Sequence, residues 1–136
     1  MQVYKKILVA MDCSSIDDVI IEHVSALAIQ NNAQVSLIHV VHSHTLDQHR
    51  ALYETAEKSL NSSCDKLKAR GIKTHIVIRS GEPDDEILKE IENDNYDLVA
   101  MATHGHTFIG DLLFGSVSDT LKHKISIPLL LMGSRP

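Results

Sequence analysis

Tryptophan is absent from the 136-residue chain, which also has only three tyrosines and two phenylalanines. The core must therefore consist mainly of isoleucine, leucine, valine and alanine, within a hydrophobic fraction of 43% that is ordinary for a globular protein. The two cysteines, Cys13 and Cys64, lack a CxxC spacing and provide neither a disulfide framework nor a zinc site. A chain of this length buries enough surface to fold without such crosslinks.

Long apolar runs and an excess of basic residues are also lacking. The first apolar run, Ile7 to Met11, is too short for a signal-peptide core, and no stretch approaches the roughly 20 apolar residues of a membrane span. We therefore expect a cytoplasmic protein that does not bind a membrane. The formal net charge of −5 argues against a broad surface for nucleic acid, although a small anionic ligand needs only a local site.

Short apolar runs alternate with longer amphipathic stretches along the whole chain. No linker or repeat interrupts this order, so we expect one domain over residues 1–136. The predicted strands are Ile7–Met11, Val35–Val41, Lys73–Ile78, Leu98–Ala102 and Ile127–Met132, and the predicted helices are Ile16–Asn31, Thr45–Ala69, Pro83–Asn93 and Ser116–His123. Strands separated by helices form a parallel sheet, whose ligand sites lie at the carboxyl ends of the strands where the strand order reverses.

The loop after the fourth predicted strand offers a possible anion site. It contains Gly105, then nine residues, then Gly115 and Ser116 at the predicted start of a helix. The first N–H groups of a helix lack partners, its dipole favours negative charge, and glycine lets a phosphate approach the backbone. The alternative interpretation is that both glycines only permit turns.

Standard phosphate and catalytic motifs are missing from this loop. Gly105 and Gly110 have the P-loop glycine spacing, but Asp111 and Leu112 stand where lysine and serine or threonine are required. No GxGxxG follows the first strand, and no GxSxG elbow surrounds any serine. We therefore expect no catalytic residues and no enzyme activity, with slow ATP hydrolysis kept as an alternative.

Nine histidines include two pairs, His42 with His44 and His104 with His106, in the loops after the second and fourth strands. Imidazoles are common metal ligands. No cysteine or carboxylate recurs at ligand spacing around either pair, so we interpret them as solvated loop side chains and predict no metal site.

Six segments, in chain order, carry a resemblance to a known family. They are Lys5–Asp12, Leu37–Val40, Gly81–Pro83 with Glu86–Leu88, Tyr96–Met101 with Thr103–Gly105, Leu113–Ser118 and Ile127–Leu131. Together they resemble the strands and loops of the universal stress protein family over essentially the whole chain. The resemblance implies a three-layer, Rossmann-like or flavodoxin-like α/β sandwich. Its five-stranded parallel sheet would have the order 3-2-1-4-5, with helices on both faces.

The nucleotide-binding branch of that family has the motif G-x2-G-x9-G-S/T, which Ala102, Gly105, Gly115 and Ser116 match in the last three positions. The resemblance implies that Asp12 holds the ribose hydroxyls and that the Val40 backbone meets adenine. The glycines and Ser116 would cradle the phosphates of ATP or another adenine nucleotide, with or without Mg²⁺. The complete implied site consists of Ala10, Met11, Asp12, Val40, Met101, Ala102, His104, Gly105, Gly115, Ser116, Val117 and Ser118.

Two features leave alternatives open. Alanine at position 102 adds a methyl group that crowds the nucleotide, which favours a nucleotide-free, dimeric protein-interaction module of the same fold. Asp12, directly after a strand, is also the kind of residue that caps a helix or ties a turn. The resemblance otherwise implies a regulatory protein of the stress response, with a regulatory protein partner that the sequence does not identify.

The fifth predicted strand, Ile127–Met132, suggests a homodimer. Pro128 near its start is compatible with an edge position, and an open apolar edge is an aggregation hazard that proteins normally cover. Pairing with the same strand of a second copy would cover it with two-fold symmetry, and the family resemblance implies the same. The alternative is shielding by the chain's own residues Gly133–Pro136, which look too few for the purpose.

Overall fold

A computed structural model describes residues 3–14, 17–103 and 109–133, with the backbone alone for Thr103 and residues 109–116. Five parallel strands form one sheet in the order β3-β2-β1-β4-β5, which confirms the predicted order. The elements are β1 (Lys6–Ala10), α1 (Asp17–Asn31), β2 (Gln34–Val41), α2 (Leu46–Ala69), β3 (Thr74–Ser80), α3 (Pro83–Asn93), β4 (Leu98–Thr103), α4 (Ile109–Lys124) and β5 (Leu129–Gly133).

The central strand β1 is buried on both faces, as its continuous apolar run predicts. Ile7, Leu8 and Val9 have no exposed surface. Ile7 and Val9 of β1 join the core cluster under α1 and α2, and Leu8 and Ala10 join the cluster under α3 and α4. Because β1 pairs with both β2 and β4, the strand order reverses beside it, and a crevice is expected above its carboxyl end.

Local signals fix most helix ends. Thr45 caps α2 by accepting a hydrogen bond from the Gln48 backbone N–H at 3.1 Å, and Pro83 lies in the first turn of α3. Gly71, after α2, has a φ of 81°, a left-handed conformation that favours glycine. Two apolar helix residues lie on exposed faces, since Val19 of α1 and Leu52 of α2 are 51% and 38% exposed. No helix in the described ranges combines the length and apolarity of a transmembrane segment.

The start of α4 was predicted wrongly. The helix begins at Ile109, so Gly115 and Ser116 lie within it and not at its amino end. Apolar residues at positions 109, 112, 113 and 117 have helical spacing and extend the helix towards the preceding loop. The interior glycine, which suggested a break, costs only about 1 kcal/mol relative to alanine. Ser116 is therefore not at the start of the helix, and exposed Asp119 pairs with Lys122 at 2.9 Å.

Candidate functional site

The carboxyl ends of β1, β2 and β4 bring together the first six predicted site residues. Ala10 lies opposite Ile38 of β2 and Met101 of β4, and Met11, Val40, Met101 and Ala102 are all buried. Asp12 follows directly and is partly exposed. The parallel architecture thus places residues from distant parts of the chain along one edge, as the sequence predicted.

The end of β1 leaves the Val40 backbone facing this crevice. The Met11 N–H donates to the Ile38 carbonyl at 2.8 Å, and a continued parallel ladder would next join the Val40 N–H to the Met11 carbonyl. That carbonyl instead accepts from His39 Nδ1 at 2.7 Å. In the described chain, no backbone hydrogen bond links Val40 to β1. Its N–H and C=O face the same side as those of Ile38, above the end of β1.

Asp12 forms a tight turn and lies beside a second carboxyl group. Its Oδ1 accepts from the Ser14 backbone N–H at 3.0 Å, which confirms the turn interpretation. The Asp17 carboxyl group accepts from the backbone N–H groups of Asp12 at 3.4 Å and Cys13 at 2.8 Å. The ribose role of Asp12 is compatible with this turn, because a carboxylate has two oxygens and several lone pairs.

Asp17 is only 5% exposed. Burial, together with the nearby Asp12 charge and a hydrogen bond between the two side chains, raises the pKa of Asp17 to about 8. Asp17 therefore binds its proton more tightly than an ordinary carboxyl group does. Asp17 was missed from the sequence, where its only signal is an acidic residue in the first turn of a helix, a common response to the helix dipole.

Cys13 connects the two carboxyl-bearing residues through an unusual backbone conformation. Its φ is 64°, in the left-handed region that non-glycine residues rarely adopt. Burial and the Asp17 charge raise the pKa of its thiol to about 11. The thiol is therefore protonated at neutral pH and is neither an effective nucleophile nor a ready metal ligand.

The second half of the predicted motif is only partly described. Val117 and Ser118 of α4 are buried, and Val117 packs in the same core cluster as Ala10 and Met101. These two residues therefore belong to the helix that covers the crevice region. The predicted contacts of His104 and Gly105 lie outside the described residues.

Arg79, whose charge could otherwise attract a phosphate, forms ion pairs within the protein. Its guanidinium donates to Glu90 at 2.7 Å and lies 3.7 Å from Glu86. The Tyr96 hydroxyl donates to the other oxygen of Glu90 at 2.7 Å. This network joins β3 to α3 and to the start of β4, so Arg79 has a structural role.

The histidine pair after β2 makes separate contacts. His42 Nδ1 donates to the Gly81 carbonyl at 3.3 Å and lies 3.7 Å from a Glu82 oxygen, while the His42 and His44 ring centroids are 5.5 Å apart. Within the described ranges, no three histidine, cysteine or carboxylate side chains form a group that could hold a metal. His104 and His106 lie outside these ranges.

The fold and the crevice define the class as a parallel α/β protein with its candidate ligand site at the carboxyl edge, where the strand order reverses. A family model described as the universal stress protein family matches residues 3–132. The chain therefore belongs to the universal stress protein family.

A universal stress protein of Methanocaldococcus jannaschii, MJ0577, is 26% identical over 153 aligned positions, which cover 95% of this chain and 94% of the relative. Its solved structure has a TM-score of 0.84 and 27% identity, covering 98% of this chain and 99% of that one. The agreement extends over both chains almost completely, so the fold comparison includes every element described above.

Two more distant structures contain adenine nucleotides. An Archaeoglobus fulgidus universal stress protein in complex with dAMP has a TM-score of 0.73 and 18% identity, over 95% of this chain and 98% of that one. A universal stress protein in complex with cAMP has a TM-score of 0.74 and 18% identity, over 96% and 97% of the two chains. At this identity the likeness shows the fold alone.

Proposed function

We propose that this universal stress protein binds an adenine nucleotide above the end of β1 and acts as a regulatory protein of the stress response. The observation that carries the proposal is the Val40 backbone, which among the described residues has no backbone hydrogen bond to Met11, at the same carboxyl edge of the sheet where Asp12 follows β1. An adenine edge presents a donor and an adjacent acceptor, which match one backbone C=O and one N–H. The dAMP and cAMP complexes of two relatives support the same ligand class.

The described residues support contacts with the base and the ribose better than contacts with the phosphates. Asp12 would accept hydrogen bonds from the ribose hydroxyls, and Val40 would contact the base. N–H groups at Gly115 and Ser116 lie within α4, where a helix uses them for its own hydrogen bonds. The phosphates would therefore be bound by Gly105 and its loop. Mg²⁺ would bind together with the phosphates, because Mg²⁺ usually binds through phosphates and water.

Calorimetric titration with ATP and Mg²⁺ tests the site. We expect the wild type to bind and Asp12→Ala to bind about 10- to 100-fold more weakly, because a hydrogen bond to a charged group contributes about 1.5–3 kcal/mol. Asp18→Ala is the matched control, since Asp18 is exposed on α1 and pairs with Lys66 at 3.2 Å. Absence of heat with wild type at millimolar ATP would contradict nucleotide binding, and an unchanged Asp12→Ala affinity would contradict the ribose contact.

Ala102 favours a second candidate, a nucleotide-free dimeric interaction module. Its side chain is 2% exposed within the cluster under α1 and α2, and its φ is not positive, so the backbone here does not require glycine. The methyl group therefore acts only through the space it fills.

Ala102→Gly separates the two candidates. If the methyl closes the site, the variant gains ATP binding that the wild type lacks. Under our proposal, wild type binds and the variant differs by only a few-fold, at a stability cost of about 1 kcal/mol.

In its regulatory role the protein would act as a homodimer that binds a protein partner. Strand β5 lies at the edge of the sheet and pairs, among the described strands, only with β4. Leu131 of this strand is 43% exposed. Pairing of β5 with its copy in a second subunit would satisfy the open backbone groups and cover this side chain.

We place regulation ahead of catalysis because the described residues offer little for chemistry at the crevice. Arg79 is held by Glu90, and the Cys13 thiol is protonated at neutral pH. Binding energy would then be used to change conformation or partner affinity, which requires different nucleotide affinities for the two states. ATP turnover, if measured, is expected to be slow.

A further inference from the structure

The imidazole of His39 takes the place of a backbone donor at the end of β1. Strands β1 and β2 pair in parallel as far as Ala10 and Ile38, and the Met11 N–H donates to the Ile38 carbonyl at 2.8 Å. The next bond of a regular parallel ladder would run from the Val40 N–H to the Met11 carbonyl. That carbonyl instead accepts from His39 Nδ1 at 2.7 Å. Since a carbonyl oxygen can only accept, Nδ1 is the donor in this contact.

The imidazole reaches the Met11 carbonyl from one face of the sheet. Side chains alternate along β2, so His39 lies on the same face as Leu37, which belongs to the core cluster under α1 and α2. Val40 belongs to the cluster on the opposite face. A hydrogen bond from the His39 side directs the carbonyl out of the plane of the sheet, in which the Val40 N–H would have to meet it.

The result is an available backbone donor at the proposed base site. Val40 is only 8% exposed, and among the described residues its N–H makes no hydrogen bond to Met11. A buried N–H without a partner costs free energy comparable to a lost hydrogen bond, so such groups are retained where something else satisfies them. A ligand above the end of β1 that carries an acceptor atom would satisfy this one.

On the basis of the proposed nucleotide site, we propose that His39 is a positioning residue for base recognition: its imidazole occupies the Met11 carbonyl and thereby keeps the Val40 N–H available to an acceptor nitrogen of adenine. His39 itself would not contact the nucleotide. Its effect would be confined to one ring nitrogen of the base, because the ribose and phosphate contacts do not involve the Val40 N–H.

Two substitutions of His39 separate this role from a structural one. Leucine has no donor, so in His39→Leu the Met11 carbonyl would accept from the Val40 N–H and continue the ladder. Asparagine carries an N–H₂ group at the same number of bonds from the backbone as Nδ1, so His39→Asn would keep the carbonyl occupied. His75→Leu is the matched control, because His75 is exposed near the start of β3, where it lies opposite Ser36.

Calorimetric titration of the full chain with ATP, 1-deaza-ATP and 7-deaza-ATP measures the contact. Each analogue replaces with C–H one of the two acceptor nitrogens that flank the adenine amino group. For the wild type, we expect one analogue to bind about 3- to 10-fold more weakly than ATP, the change expected for the loss of one neutral hydrogen bond. In His39→Leu, ATP should bind as weakly as that analogue. His39→Asn and His75→Leu should keep the wild-type difference.

Hydrogen exchange of the Val40 amide in the ligand-free protein tests the same inference without a nucleotide. In the wild type and in His39→Asn, we expect this amide to exchange faster than that of Ile38, which lies within the ladder. In His39→Leu it should become protected, because the Met11 carbonyl would then accept from it.

Four results would overturn the inference. Two need no variant: a wild type that binds both analogues as tightly as ATP, and a wild-type Val40 amide as well protected as that of Ile38. The third is a His39→Leu variant that still distinguishes ATP from the weaker analogue, or that loses affinity equally for all three nucleotides. The fourth is a His39→Asn variant that behaves like His39→Leu. The proposed function fails separately, when the wild type binds none of the three nucleotides.

Discussion

Wild-type protein is expected to lose stability as the pH rises from about 4 to about 8, and the Asp17→Asn variant is expected to lose much less. The folded-state pKa of Asp17 is about 8, above its ordinary value of 3.8, so the folded protein binds a proton that the unfolded chain releases over this interval. Stability therefore falls with increasing pH and becomes level above both values. We expect a loss of several kcal/mol, since each unit of pKa difference corresponds to about 1.4 kcal/mol.

The measurement is urea unfolding of the ligand-free protein at several pH values between these limits. Asp18→Asn is the matched control, because Asp18 lies on the same turn but is exposed, and its ion pair with Lys66 contributes little. The control should follow the wild-type curve. Parallel curves for wild type and Asp17→Asn would show that the buried carboxyl pair carries no proton, independently of any nucleotide.

Leu131→Glu is expected to convert a dimer into monomers. In a two-fold pairing of β5 with its copy, the new carboxylates of the two subunits would lie close together. Each carboxylate would also be partly desolvated in the interface. Like charges brought together at an interface cost several kcal/mol, so we expect the dimer to be weakened about a hundredfold or more. Analytical ultracentrifugation at micromolar concentration measures the change in mass.

The control for this experiment is Ile29→Glu. Ile29 lies on α1 and is 58% exposed, a larger fraction than the 43% of Leu131, so the same charge is added at a comparably accessible apolar site away from β5. This variant should keep the wild-type mass. A monomeric wild type would contradict the proposed dimer, and a dimeric Leu131→Glu variant would place the interface on another surface.

The strand order could be predicted from the sequence because its evidence is distributed over the chain. Apolar runs such as Ile7–Met11 predict a buried strand without reference to the rest of the fold. The family resemblance implies the order of the strands in the sheet. The parallel arrangement then brings residues at the ends of β1, β2 and β4 to one edge. Ala10, Asp12, Val40 and Met101 lie at this edge for that reason.

The start of α4 was harder to predict, since Gly115 is a local signal that competes with the surrounding helical pattern. A glycine lowers helix stability by about 1 kcal/mol, which the burial of residues such as Val117 and Leu121 readily offsets. The phosphate part of the site depended on that helix start. Its prediction from sequence was correspondingly less secure than the prediction of the base and ribose part.

The sequence by itself determined the parallel α/β fold, the family and the edge of the sheet where a ligand would bind, because these follow from periodicity and from segments that can be recognised one at a time. Only the tertiary structure decided the state of the side chains at that edge. It placed the buried carboxyl group of Asp17 against the backbone of Asp12 and Cys13, and it directed Arg79 to Glu90. The charge of a buried carboxyl group depends on neighbours that folding brings together, and no local pattern in the chain records them.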